Sequence, residues 1–235
     1  MYTKIYEPRY GDFKDFNTIK VGSLLDFVQD IAIKDSEAHG YSIHTLKELG
    51  LSWLLQGITV DLLQPLRTSS PIFVSTAVKK MRGVISERGC LVYQNDELVA
   101  RTIANWFLFN TEKMQISRIS PEMLSAYPEH NFNDPFFEFK KPTLLEIDVP
   151  EYAIRIGTKD IDTNLHLNNQ KAADLLMDAL PLDFHFNRMN LLFKKAAYHG
   201  EILQVYRKKT EHGFYVHLKN DSKGICVAGL FESFK

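Results

Sequence analysis

Asp162, Asn164 and His166 stand at alternate positions in the stretch Asp160-Ile-Asp-Thr-Asn-Leu-His-Leu-Asn168-Asn169. Alternate side chains of an extended backbone share a face, so a carboxylate, an amide and an imidazole are expected to project together. Imidazole is the side chain whose ordinary pKa lies near neutrality, which suits His166 to act as general base on a water. Asn164 can position that water or a polarised carbonyl, and Asp162 can either orient the site or share the base role. Asn168 and Asn169 are N-cap candidates for a helix over 170–180. The start of that helix offers backbone N–H donors and a positive dipole end to a developing oxyanion. These are the groups that acyl transfer to water requires.

The elements around the trio are read from hydrophobic period and turn residues. A strand-like run at 152–158 leads into it. After the helix, which ends before Pro181, extended runs follow at about 189–197, 201–210, 214–219 and 225–234, with His212-Gly213 and Asn220 to Gly224 as turns. The first half reads in the same order. A turn over Asp12 to Asn17 precedes a helix with apolar positions Leu24, Val28, Ile31 and Ala38, with Ser23 as its expected N-cap and Gly40 as its stop. A run apolar on both faces at 51–60 follows, then extended runs at about 72–82, 84–94 and 98–110, the last two joined at Gln94-Asn-Asp-Glu97.

Five of the nine prolines (Pro121, Pro128, Pro135, Pro142, Pro150) fall within 118–150. Prolines at that density disfavour long helices and interior strands, so the expected organisation is a domain at 1–117, a linker at 118–150 and a domain at 151–235. Asp15-Phe-Asn17 matches Asp162-Thr-Asn164 at an offset of 147 residues, which sets His166 against Ile19. The reading is a duplicated α+β unit, each copy a helix wrapped by an antiparallel sheet, with the full polar set only in the second copy.

Composition narrows the partners. The 235 residues are 45% hydrophobic and 24% charged with a formal net charge of -1, which gives no sign of nucleic-acid binding. The N-terminal residues lack an apolar core of signal-peptide length, and no run approaches the roughly 20 apolar residues of a membrane span. Two cysteines, Cys90 and Cys226, make no disulfide framework. A cytoplasmic protein without cofactor or bound metal is expected. Asp160-x-Asp162-x-Asn164 opens like a calcium loop, but Leu165 and Lys171 occupy the positions where such a loop needs Gly and Glu.

Several pieces together carry a family resemblance. They are Ala38-His39-Gly40, the Trp53-Leu-Leu strand opening, the Asn105-Trp106-Phe-Leu ending and, most specifically, Asp162-Thr-Asn164-Leu-His166-Leu-Asn168-Asn169. The chain resembles the acyl-acyl-carrier-protein thioesterases of bacteria and plants, built from two hot-dog domains in tandem. The resemblance implies hydrolysis of a fatty-acyl thioester on acyl carrier protein, releasing a free fatty acid and ending chain elongation. It implies Asp162, Asn164 and His166 as the catalytic residues and the first domain as acyl-binding. Trp53 then either lines the acyl channel or is plain core. Plant members add a Glu-Cys pair after a Tyr-Arg-Arg-like run; on Tyr206-Arg207-Lys208 that pair falls on Lys209 and Thr210, with Glu201 or His199 as substitutes. A related hydratase would place His one residue further from Asn. Acyl-coenzyme A as substrate, a non-catalytic acyl-binding module and a homodimer remain open on the sequence. Cys226, in an apolar run without a neighbouring His, reads as a buried structural thiol.

Overall fold

The computed structural model describes residues 1–132, 138–162 and 164–234, so Pro135 of the proline-rich segment and Thr163 of the motif lie outside the described residues. The chain forms two compact units, Met1–Phe139 and Lys140–Lys235.

In the first unit β1 (Tyr2–Tyr6) and a single 3₁₀ turn lead to α1 (Val21–Ala38) and the short α2 (Ile43–Glu48). The strands β2 (Leu51–Leu62), β3 (Ile72–Arg82), β4 (Ile85–Gln94) and β5 (Glu97–Asn110) follow, then β6 (Gln115–Ile116) and α3 (Pro121–Ala126). The antiparallel order is β1-β3-β4-β5-β2, with β6 on the end of β5. The second unit has β7 (Tyr152–Arg155), a 3₁₀ turn, α4 (Asn169–Asp178), β8 (Arg188–Phe193), β9 (Ile202–Lys209), β10 (Gly213–Asn220) and β11 (Gly224–Glu232). Its order, β7-β9-β10-β11-β8, repeats the first unit strand for strand.

α1 packs on β1 and β3. Leu24, Phe27, Val28 and Ile31 are buried at helical spacing along it, each worth about 1.5–3 kcal/mol of transfer free energy. The helix starts two residues before the expected cap. The Lys20 N–H donates to the Asp12 carbonyl (2.9 Å), which holds Lys20 extended and makes it the N-cap, while Ser23 is buried in the first turn with its hydroxyl on the Asp12 carboxylate. The far end closes as expected. Gly40 takes φ +86°, and the N–H groups of Gly40 and Tyr41 return to the carbonyls of Glu37 and Ser36. Asn95 and Asp96, both at positive φ, make the tight β4–β5 hairpin.

The proline-rich stretch divides differently from expectation. Ile119, Met123 and Tyr127 are buried with Leu46, Val78, Met81 and Leu108 in the core of the first unit. Ser120 caps α3 by accepting from the Met123 N–H, and Pro121 stands at the start, where its missing donor costs nothing. Residues 118–132 thus belong to the first unit, and the segment after Phe139 belongs to the second. No helix among the described residues is long and apolar enough to cross a membrane.

Candidate active site

Residues 160–162 and 164–168 fold back on one another rather than forming an extended strand. Ile161 and Leu167 pair across an antiparallel bridge, the Asp162 N–H donates to the His166 carbonyl (2.8 Å) and the Leu165 N–H to the Asp162 carbonyl (3.0 Å). Leu165 adopts φ +63° to make the turn. The alternating extended arrangement expected from the sequence is therefore absent, and Asp162 is tied instead to the backbone of Asn164 and His166. The difference follows from Asp162, whose Oδ1 accepts the N–H groups of Asn164 (2.8 Å) and His166 (3.2 Å). A side chain that satisfies its neighbours' backbone donors offers the chain an alternative to a sheet ladder. Asn164 is exposed at the loop tip, and Asp162 and His166 are half-buried.

Two anchors fix this loop. Asp160 Oδ2 accepts the Gly157 N–H (2.8 Å), and the Leu167 N–H donates to the Ala197 carbonyl (2.8 Å). α4 begins directly behind, with Asn168 as N-cap. Its Oδ1 accepts from Gln170 (2.8 Å) and Lys171 (3.2 Å). This confirms Asn168 as the cap and puts Asn169 inside the helix. It also corrects the expected oxyanion site, because the cap itself occupies two of the N–H donors at the helix start.

The first unit builds the same loop without the imidazole. Phe13 pairs with Ile19, the Lys14 N–H donates to the Thr18 carbonyl, the Ile19 N–H to the Leu66 carbonyl and the Lys20 N–H to the Asp12 carbonyl. Within the loop each bond has its partner in the second unit at an offset of 148 residues, from Asp12 to Asp160, and the Ile19 N–H bond to Leu66 has its counterpart in the Leu167 N–H bond to Ala197. The offset of 147 suggested by Asp15 and Asp162 is thus one residue short. In the hydrogen-bond frame His166 corresponds to Thr18, and Leu167 to Ile19.

The segment facing the motif is 194–201. β8 ends at Phe193, earlier than the expected 197, and His166 pairs with Tyr198 across an isolated antiparallel bridge. The two rings meet edge to face, centroids 5.0 Å apart at 84°. Nothing in the sequence pattern distinguished Tyr198. Glu201 is not on His166: its carboxylate holds the Lys223 ammonium and accepts the Tyr198 N–H. His199 is exposed on the same turn. Lys209 ends β9, seven residues from Ile202, which is roughly 23 Å at 3.3 Å per residue. Lys209 and Thr210 therefore stand at the far end of β9 from the turn that meets the motif. Trp53, opposite Leu108 on β2, packs half-buried against the core cluster of Leu46, Val78 and Met123. Burial pushes the Cys226 thiol up, away from the thiolate that a nucleophile needs.

Residues 1–127 match the family profile of the acyl-ACP thioesterase N-terminal domain, and residues 146–227 match that of the acyl-ACP thioesterase C-terminal domain. The chain belongs to the acyl-ACP thioesterase family. As a member of that family it has the tandem hot-dog fold. The crystal structure of an acyl-ACP thioesterase from Bacteroides thetaiotaomicron superposes with a TM-score of 0.86 at 17% identity, covering 98% of this chain and 96% of that one. The 12:0-ACP thioesterase from Umbellularia californica gives 0.85 at 15% identity, over 98% and 96%. Among curated proteins, the chloroplastic oleoyl-acyl carrier protein thioesterase of Coriandrum sativum is 16% identical over 208 residues. The chain spans 56% of that relative's length, and the match takes in 79% of this chain.

Proposed function

We propose that this member of the acyl-ACP thioesterase family hydrolyses the thioester of fatty acyl-acyl carrier protein, with His166 as general base on the attacking water. One observation carries the reading: in a chain matched by both domains of the family, the loop that exists in two copies bears an imidazole in only one. There His166 is half-buried and Asn164 is exposed. Asn164 positions the water or the carbonyl. Asp162 orients the site rather than sharing the base role, because its Oδ1 is committed to the backbone of the two residues that act. The base takes a proton from water as hydroxide attacks the acyl carbon, and the thiolate of the carrier's prosthetic arm leaves with that proton.

The acidic carrier protein is the partner under this reading, in the compartment where acyl chains are elongated, taken as the cytoplasm. A Trp53 contribution to acyl binding is retained as part of it. The test is release of free thiol from acyl-carrier substrate by the pure protein, compared with the same acyl group on coenzyme A. The expected outcome is turnover on the carrier that falls at least a hundredfold in H166A. Binding of acyl carrier without thiol release would mean a non-catalytic module.

A further inference from the structure

We propose that Tyr198, held by Glu201 and Lys223, is the positioning residue for the His166 imidazole. The inference rests on the reading of His166 as the base.

Tyr198 is 43% exposed, so burial does not account for how firmly it is fixed. Its N–H donates to Glu201 Oε2 (3.1 Å), and its carbonyl accepts the Glu201 N–H (3.1 Å). Gly200, at φ +83°, makes the tight turn between them. The Glu201 carboxylate also binds the Lys223 ammonium. That ammonium lies 4.2 Å from the centre of the Tyr198 ring and donates to the Ala196 carbonyl (3.4 Å). A cation over a ring face is an attractive contact that fixes the ring's tilt.

The aromatic ring so held meets the imidazole at 84°, the edge-to-face arrangement that ring quadrupoles favour. The two residues are directly opposed across the bridge, so their side chains leave on one side of the pairing. The first unit supplies a comparison. There the bridge joins Thr18 to Arg67, and the Arg67 N–H is taken by Gln94. The copy that lacks the imidazole lacks the aromatic partner as well.

The test measures kcat and KM on acyl-carrier substrate for Y198F, Y198L and K223M, with Y198L repeated in the H166A background and melting curves for all. The Phe variant keeps the ring and is expected within about twofold of the unaltered protein. The Leu variant is expected to lose about tenfold to a hundredfold in kcat, with KM within about twofold and an unchanged melting temperature. The same substitution is expected to add no loss in H166A. K223M should show part of the Leu loss. A fully active Y198L, a Phe variant as poor as the Leu one, or an undiminished Y198L effect in H166A each overturns the proposal. A K223M variant with unaltered kcat removes the ammonium from it. An active H166A overturns the base assignment itself, whereas an inactive H166A beside a fully active Y198L overturns the positioning role alone.

Discussion

Asp12 and Asp160 make the same hydrogen bond: each Oδ2 accepts the backbone N–H three residues earlier, from Arg9 and from Gly157, at 2.8 Å in both units. The consequences of cutting it should differ, because only the second loop carries the trio. Asp12→Ala removes the acceptor for the Arg9 N–H and for the buried Ser23 hydroxyl and is expected to cost about 1–3 kcal/mol in urea denaturation, with kcat unchanged. Asp160→Ala should lower kcat about tenfold or more through a misplaced loop, with a smaller stability loss. Equal kinetic effects of the two substitutions would show that the second loop does not place the reacting groups.

The ion pair between Arg88 and Asp35 in the first unit is buried, with both side chains under a tenth exposed. Thr76 adds a contact to the Arg88 guanidinium, and Cys90 lies against the Thr76 hydroxyl. Removing one partner strands a charge in that environment. Arg88→Met is expected to cost about 3–5 kcal/mol, and the double change with Asp35→Leu less than the sum of the singles. Denaturant midpoints of the four proteins give the coupling.

Protonation of His217 should limit stability in acid. The imidazole is 2% exposed, stacks on Tyr206 at 4.7 Å, and its Nδ1 has no partner among the described residues. Burial, with Lys219 adding repulsion, pulls its pKa down to about 4. An unfolded histidine takes up its proton near 6.5. Between those values the unfolded chain binds more protons, so this contribution is complete above about pH 6.5 and is lost as pH falls towards 4. The full loss is on the order of 3 kcal/mol. His217→Leu should flatten the dependence of the urea midpoint across that window; an unchanged slope would discard the assignment.

Asn168→Ala removes the acceptor for two N–H groups at the start of the ten-residue α4. A loss of about 1 kcal/mol is expected, with Asp in its place restoring most of it. Thermal denaturation reads the first effect. Because the Asn168 N–H also donates to the Asp160 carbonyl (2.8 Å), a change in kcat beyond the stability loss would report movement of the loop.

The order of elements could be read from the chain because each half carries both periods plainly. The 3.6-residue spacing of Leu24, Val28 and Ile31 and the hairpin at Asn95-Asp96 are local signals, and the structure keeps both. The exact entry to α1 was hidden, since it is set by a hydrogen bond from Lys20 to Asp12 that no propensity at Ser23 announces. Residue types alone set the repeat one residue out for a related reason. Residue types match at Asp15 and Asp162, but the backbone bonds that define the loop start from Asp12 and Asp160. In the site, His166 was visible as a type in a pattern. Tyr198 was not, because its place beside the imidazole comes from a bridge between segments 32 positions apart. The proline count likewise marked 118–150 without revealing that Ile119, Met123 and Tyr127 are core residues.

The loop that turns up twice, once bare and once armed, separates the cost of folding from the cost of chemistry. Its backbone closes around Thr18 with the same bonds it uses around His166, so the imidazole is an addition to a frame that holds without it. Exchanges at that one position should therefore be read as changes of trade rather than of shape, and the silent copy is the natural place to try installing a second one.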